Sequence, residues 1–307
     1  MVSPRESWSL TDHLLSTQEH LYESATQHPF LLAGAEGRLS KDILSRWLAN
    51  DRLYIHSYIR AAGTLLASID LPKQVPGSQE AFETQLADWL IEALAAIRKE
   101  ERFFIDVADR YGLGIEIAIP FPPGSQTAAA AQNIAAKDEK LPGLIQLESI
   151  FSSISNPPTT STDSPSKLPG VALVQSLFTT TAAATTPTPL LPWLEGALTF
   201  WGSERCYLDA WSWARDKAEE RRCSGGHAEK DDADGGALRK EFIPNWSSPE
   251  FAVFVDRLGA LIDAAVAGML EGKEGEERER LKGEVLGRVE GKWKTLLEAE
   301  RQFWPDV

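Results

Sequence analysis

Cysteine is nearly absent from this chain: only Cys206 and Cys223 occur in 307 residues. Two thiols exclude a disulfide framework and point to a reducing, cytoplasmic setting. Histidine is scarce too, and His13, His20, His28, His56 and His227 fall at no metal-ligand spacing, so no metal and no cofactor are expected. No apolar run approaches the ~18 residues of a membrane-crossing helix. The opening MVSPRESWSLTDHLL lacks the basic start and apolar stretch of a secretory signal. Positive charge is in deficit, with 31 Lys and Arg against 45 Asp and Glu and a net charge of −14. That excludes nucleic acid and anionic membranes as expected partners, because both are bound by clustered cations. Alternating apolar and polar residues are also missing at any useful length, so strands are not expected.

What remains is helical periodicity. With 43% hydrophobic residues, the chain can bury a sizeable core. Apolar positions recur at helical spacing over about 10–27, 40–69, 79–111, 190–217, 249–271 and 275–303. Ser40 and Ser248 stand where N-caps belong, the latter followed by Pro249 at the first helical position. Pro29 closes the first helix, and Gly112 is placed as a C-cap. Residues 118–187 are rich in Pro, Ser, Thr and Ala and read as a flexible surface insertion, within which Leu141–Ile154 and Val171–Phe178 have the pattern of short helices. Residues 219–240 are charged and Gly-rich and read as a flexible loop. The expectation is one all-α domain spanning 1–307, a helical bundle interrupted by a low-complexity insertion.

Four stretches set acids or amides among aromatics. In WLANDRLYIHSY, Asp51 and Tyr54 are three residues apart and share a helical face beside Trp47. In FWGSERCYLDAW, Phe200, Glu204 and Tyr207 fall at i, i+4 and i+7, next to Trp201. Asn245 and Trp246 open a later helix, and Glu300 precedes Phe303 and Trp304. Any one of these reads by itself as an acid reaching solvent at a helix edge. Together they suit an internal site built from facing helices. Glu100 and Glu101, inside the charged run RKEER, read as a solvated face. Cys206 has no histidine near it in sequence to act as a base and reads as an inert buried thiol.

These motifs, in this order, resemble the TenA (thiaminase-II-like) family of the haem-oxygenase-like superfamily: HPF at 28–30, W-L-x-N-D-x-x-Y, F-W-x-x-E-x-x-Y-L-D-A-W, N-W-S-S-P-E-F and E-x-x-F-W. The resemblance covers residues 8–115 and 188–304. It implies a haem-oxygenase-like bundle. Where one type of family member has a catalytic cysteine, this chain has Gly196-Ala197, so it resembles the E type, with Glu204 as its acid. The implied activity is hydrolysis of aminopyrimidine or formylaminopyrimidine products of thiamin breakdown to hydroxymethylpyrimidine, in thiamin salvage. By position, Asp51 matches the acid that binds the pyrimidine amino group, Tyr54 its partner, and Glu300 the acid facing a ring nitrogen. Trp246 falls near a pocket-wall tyrosine, with either it or Asn245 pointing inward. Phe200, Trp201, Tyr207 and Trp246 are expected to pack on the ring, beside Trp47. Glu204, Asp51 and Glu300 would then be catalytic, with Tyr54 fixing Asp51. The resemblance also implies a homo-oligomer, dimer or tetramer.

Two other readings stay open. One is a non-catalytic, pyrimidine-binding or regulatory protein that keeps the pocket. The other is a haem or di-metal enzyme of the same superfamily, with His13 or His20 as an axial ligand, against which the missing ligand spacing and the acidic charge both speak.

Overall fold

The computed structural model describes residues 8–73, 80–116, 140–155, 190–225 and 228–307, and all regular structure among them is helical. Three short helices open the fold: α1 (Leu10–Ser16), α2 (Glu19–Thr26) and α3 (Pro29–Ala35). The expected single helix over 10–27 is divided. Ser16 and Thr17 turn their hydroxyls back onto the carbonyls of His13 and Leu14, competing with the helical ladder. Gln18 then takes a left-handed φ of 59°. His28 caps α3 through its ring nitrogen, which accepts from the Phe30 amide at 3.2 Å.

Two long helices follow. The 28-residue α4 (Lys41–Ser68) starts at the Ser40 cap, and the 30-residue α5 (Phe82–Tyr111) ends at Gly112, whose φ of 63° suits glycine. Next come α6 (Pro142–Ser155) and α7 (Leu194–Cys223). A π-helical turn, Leu238–Phe242, runs into the one-turn α8 (Ile243–Trp246). Pro244 has no amide to give the Lys240 carbonyl, and the helix widens just ahead of it. The fold closes with α9 (Pro249–Leu270), capped by Ser248, and α10 (Gly275–Arg301).

In the middle of the bundle, α7 packs against α3, α9 and α10, while α4 packs against α5 and α6. The core is strongly aromatic: Trp47, Trp89, Trp211, Trp293, Tyr58, Phe104, Phe151 and Phe200 are among its fully buried side chains. No helix among the described residues is long and apolar enough to cross a membrane.

Two expected flexible segments are corrected. Within 118–187, α6 is a core element: Leu141, Leu144, Leu147 and Phe151 are buried, and the Phe151 ring meets Tyr54, Tyr58 and Phe200. Gly143 allows the α6 backbone to touch α10, its amide donating to the Gln302 carbonyl at 3.0 Å. An added Cβ there would overlap the Ala299 carbonyl oxygen and the Phe303 amide. The rest of 118–187, with Val171–Phe178, lies outside the described residues. Within 219–240, α7 continues to Cys223, and the described part beyond it is pinned by charge pairing. Arg239 binds Asp232 deep in the structure, and Asp234 accepts the amides of Gly236 and Leu238 at 2.8 Å each. A charged sequence reads as loop while its charges face water, and here Arg239 and Asp232 face each other instead.

Candidate active site

Five elements converge on a cavity of about 280 Å³, close to the lower end of the usual range for small-molecule sites. Helix α4 contributes Asp51, Tyr54 and Ile55, and α7 contributes Glu204 and Tyr207. Asn245 and Trp246 come from α8, and Phe251 and Phe254 from the first turns of α9. Helix α5 presents Ala93, Ala96 and Ile97 with Glu100 on one stripe. The two alanines leave the space that the cavity fills. Among the described residues the lining also has Glu92 and Glu250 but no Lys, Arg or His.

Each acid has a distinct setting. Asp51 is 2% exposed and accepts the Tyr207 hydroxyl at 3.2 Å. Burial lifts it well above the usual carboxylate range, Glu100 adds to the rise, Tyr207 opposes it, and Glu300 and Glu204 add further. Burial pushes Glu204 up to about 7, and Glu100 contributes. The Tyr58 phenol is turned toward Glu204 and offsets part of that rise, although its hydroxyl reaches no acceptor at hydrogen-bonding geometry. Glu100 is half-buried and accepts the Trp246 indole N–H, with the Asn245 amide at 3.5 Å. Burial raises it, and these two donors oppose the rise.

Glu300 does not line the cavity. It is 3% exposed and sits behind Ser203, whose hydroxyl donates to it at 2.6 Å. Ser203 is in turn 3.0 Å from the Tyr54 hydroxyl. Burial carries Glu300 up to about 8, Ser203 opposing and Glu204 adding.

Residues 16–75, which include Asp51 and Tyr54, match the model of the TENA/THI-4/PQQC family. The fold matches that of a TenA homologue from P. horikoshii OT3, with a TM-score of 0.52 at 13% identity over 97% of this chain and 99% of that one. A TenA family transcription regulator from Silicibacter sp. TM1040 gives 0.52 at 12% identity over 97% and 96%. The fold is TenA-like. Among curated proteins, a probable transcription factor of Fusarium pseudograminearum (strain CS3096) is 24% identical over 86% of this chain and 47% of its own length. A probable bifunctional TENA-E protein of Glycine max is 19% identical over 42% and 53%. The chain thus spans about half the length of the curated relatives it matches.

Of the residues singled out in the sequence, Asp51, Tyr54, Glu204, Tyr207, Asn245 and Trp246 share the cavity of this TenA-like bundle, and both Asn245 and Trp246 face it. Four do not. Trp47 is buried among Phe30, Trp211, Trp246, Phe303 and Trp304. Phe200 packs on Tyr58, Trp89 and Phe151. Trp201 lies against Trp293 and Gly259. These are core rings one layer behind the wall, and Glu300 is the fourth, connected to the cavity among the described residues through Ser203 and Tyr54. The expected Asp51–Tyr54 bond is replaced as well. Residues three apart share a helix face, but their polar tips diverge: Asp51 meets Tyr207 and Tyr54 meets Ser203.

Both acids of the RKEER run are likewise corrected. Glu100 lines the cavity, and Glu101 is buried, accepting from His56 at 2.8 Å, Arg52 at 3.3 Å and Arg98. The spacing of Ala93, Ala96, Ile97 and Glu100 was the available signal for Glu100. Cys206 is buried, outside the cavity lining, and its thiol is pushed well up by burial.

Proposed function

We propose that this cavity hydrolyses an aminopyrimidine, or its formylamino derivative, from thiamin breakdown to hydroxymethylpyrimidine. The observation that carries the reading is the convergence of Asp51, Glu100 and Glu204 with Tyr54, Tyr207 and Trp246 on one small cavity. Aromatic walls suit a flat ring, and carboxyls with displaced proton affinities suit acid and base roles near neutral pH. Likeness to the TenA family supports a thiamin-related role, and the soybean relative named TENA-E supports the E-type assignment.

In the amine reaction the exocyclic C–N bond breaks, the nitrogen leaves as ammonia and water supplies the new hydroxyl. Glu204, ionising at about 7, takes the proton from water as general base. Asp51, held protonated by burial, gives its proton to the departing nitrogen. Tyr207 orients Asp51 through its hydroxyl. Glu100 fixes the Trp246 and Asn245 wall against which the ring lies.

A second reading rests on the names of two relatives, a probable transcription factor and a TenA family transcription regulator: the pocket binds the pyrimidine as a signal, without turnover. One experiment separates the two. The protein is incubated in parallel with aminomethylpyrimidine, its formyl derivative and thiamin, and binding is measured alongside. Loss of the amine or formyl compound supports the hydrolase, and tight binding with no loss of any compound supports the sensor. Neither binding nor turnover overturns both.

A further inference from the structure

Glu300 is buried beside the cavity and has no surface on it. A carboxyl there can act on a bound ligand only through something else. The something else is on hand: Ser203 Oγ lies 2.6 Å from Glu300 Oε1 and 3.0 Å from the Tyr54 hydroxyl, and Tyr54 lines the cavity. Ser203 is 2% exposed and Tyr54 9%, so bulk water does not compete along the line.

We propose that Ser203 is the positioning residue of a proton relay that runs from Glu300 through Ser203 to Tyr54 and delivers a proton to a basic nitrogen of the bound ligand. With Glu300 protonated, its O–H donates to Ser203, Ser203 donates to Tyr54, and Tyr54 donates into the cavity. In the transfer each O–H bond breaks as the next forms. The ligand nitrogen gains one proton, Glu300 is left as a carboxylate, and both hydroxyls end neutral with their hydrogen bonds reversed. The reversed state has Ser203 donating to the carboxylate. Protonation of the ring nitrogen draws electron density from the exocyclic C–N bond and so prepares the leaving group.

The transfer has to be concerted. Burial, Glu204 and Glu300 all make the Tyr54 phenol a weaker acid than usual, so a free phenolate is not a waypoint. The titratable groups that sense Glu300 are Glu204 and Cys206 on α7 and Asp51 and Tyr54 on α4. Among the described residues, only Ser203 bonds to both Glu300 and a cavity-lining group. The relay depends on the proposed function for the identity of the proton acceptor, not for its own existence.

The test therefore needs no substrate. The full chain is labelled with ¹³C at tyrosine Cζ, and the Tyr54 resonance is identified by its loss in Tyr54→Phe. It should titrate with a midpoint near 8, that of Glu300, and lose this step in Glu300→Gln. Ser203→Ala should cut the amplitude about threefold or more, leaving the through-space effect of the charge, and Ser203→Thr should restore it. Should Ser203→Ala not fold, Ser203→Cys, with its weak S–H donor, takes its place. Wild-type amplitude in Ser203→Ala or Ser203→Cys overturns the relay. Turnover is then followed separately. Aminopyrimidine hydrolysis by Ser203→Ala with an unaltered alkaline limb overturns the relay and leaves the hydrolase standing. Ser203-dependent coupling without turnover of any pyrimidine upholds the relay and removes the substrate assignment.

Discussion

Replacing Glu300 by glutamine should make the protein more stable above neutral pH while abolishing its chemistry. Glu300 is 3% exposed, and its acid form persists up to about pH 8, against an ordinary value of 4.5. The folded state therefore holds a proton that the unfolded chain has released anywhere between pH 4.5 and 8. Where the native state binds more protons, stability falls as pH rises. The folded protein thus carries no penalty from Glu300 below pH 4.5 and the full penalty above pH 8. At about 1.4 kcal/mol per pH unit, and allowing for relaxation around a buried charge, that penalty is on the order of 3 kcal/mol. Glutamine keeps the shape, accepts from Ser203 and cannot ionise. Urea unfolding, followed by fluorescence of the buried tryptophans, should give nearly equal midpoints for wild type and Glu300→Gln at pH 5. At pH 8.5 the variant should be more stable by a few kcal/mol. Asp51, Glu100 and Glu204 slope in the same direction but are present in both proteins, so they largely cancel in the difference. A difference that stays flat from pH 5 to 9, or a variant less stable at pH 8.5, would refute the reasoning.

Other expectations are more direct. Glu204→Gln should fold normally and lose at least ~100-fold in turnover, the scale of a general base; a wild-type rate removes its assignment. The wild-type rate should rise through pH about 7, as Glu204 ionises, and fall through about 8, as Glu300 loses its proton, two apparent values that belong to the coupled pair. Asp51→Asn should weaken binding of the aminopyrimidine product analogue, and unchanged affinity by calorimetry would exclude its role. Gly143→Ala, whose Cβ would meet α10 backbone, should cost on the order of 3 kcal/mol of stability, read from the urea midpoint.

Helix existence and type were legible in the sequence because apolar residues recur at helical spacing, and the Ser40 and Ser248 caps mark where α4 and α9 begin. The elements misjudged were those whose partners are distant in sequence. Pro142–Ser155 has low-complexity neighbours, and its contacts with Tyr54, Tyr58, Phe200 and the α10 backbone make it core. Composition describes the neighbourhood of a segment and not the surface it meets. The site was divided in the same way. Asp51, Glu204 and Trp246 stood out as acids and rings sharing a stretch. Glu100 did not, because its run is charged throughout and the tryptophan that binds it is 146 residues away. Trp47, Phe200 and Trp201 stood out equally but lie one layer deeper, since an aromatic stripe is wider than the cavity edge it borders.

The corrected partners also alter how the acids divide the work. A carboxyl buried without a cation is held in its neutral form, and among the described residues the cavity lining has no Lys, Arg or His. Asp51, Glu204 and Glu300 therefore differ through their donors. Among the described residues, Asp51 has a phenol, Glu300 has a serine, and Glu204 has the imperfectly aligned Tyr58. The acid with the poorest hydrogen bonding is the one free to turn toward water, which is what a general base requires. The acid with the shortest bond faces away from the cavity and is suited to store a proton. Helices α4, α7 and α10 fix that difference by meeting at Ser203, whose hydroxyl stands between the Glu300 carboxyl and the Tyr54 phenol.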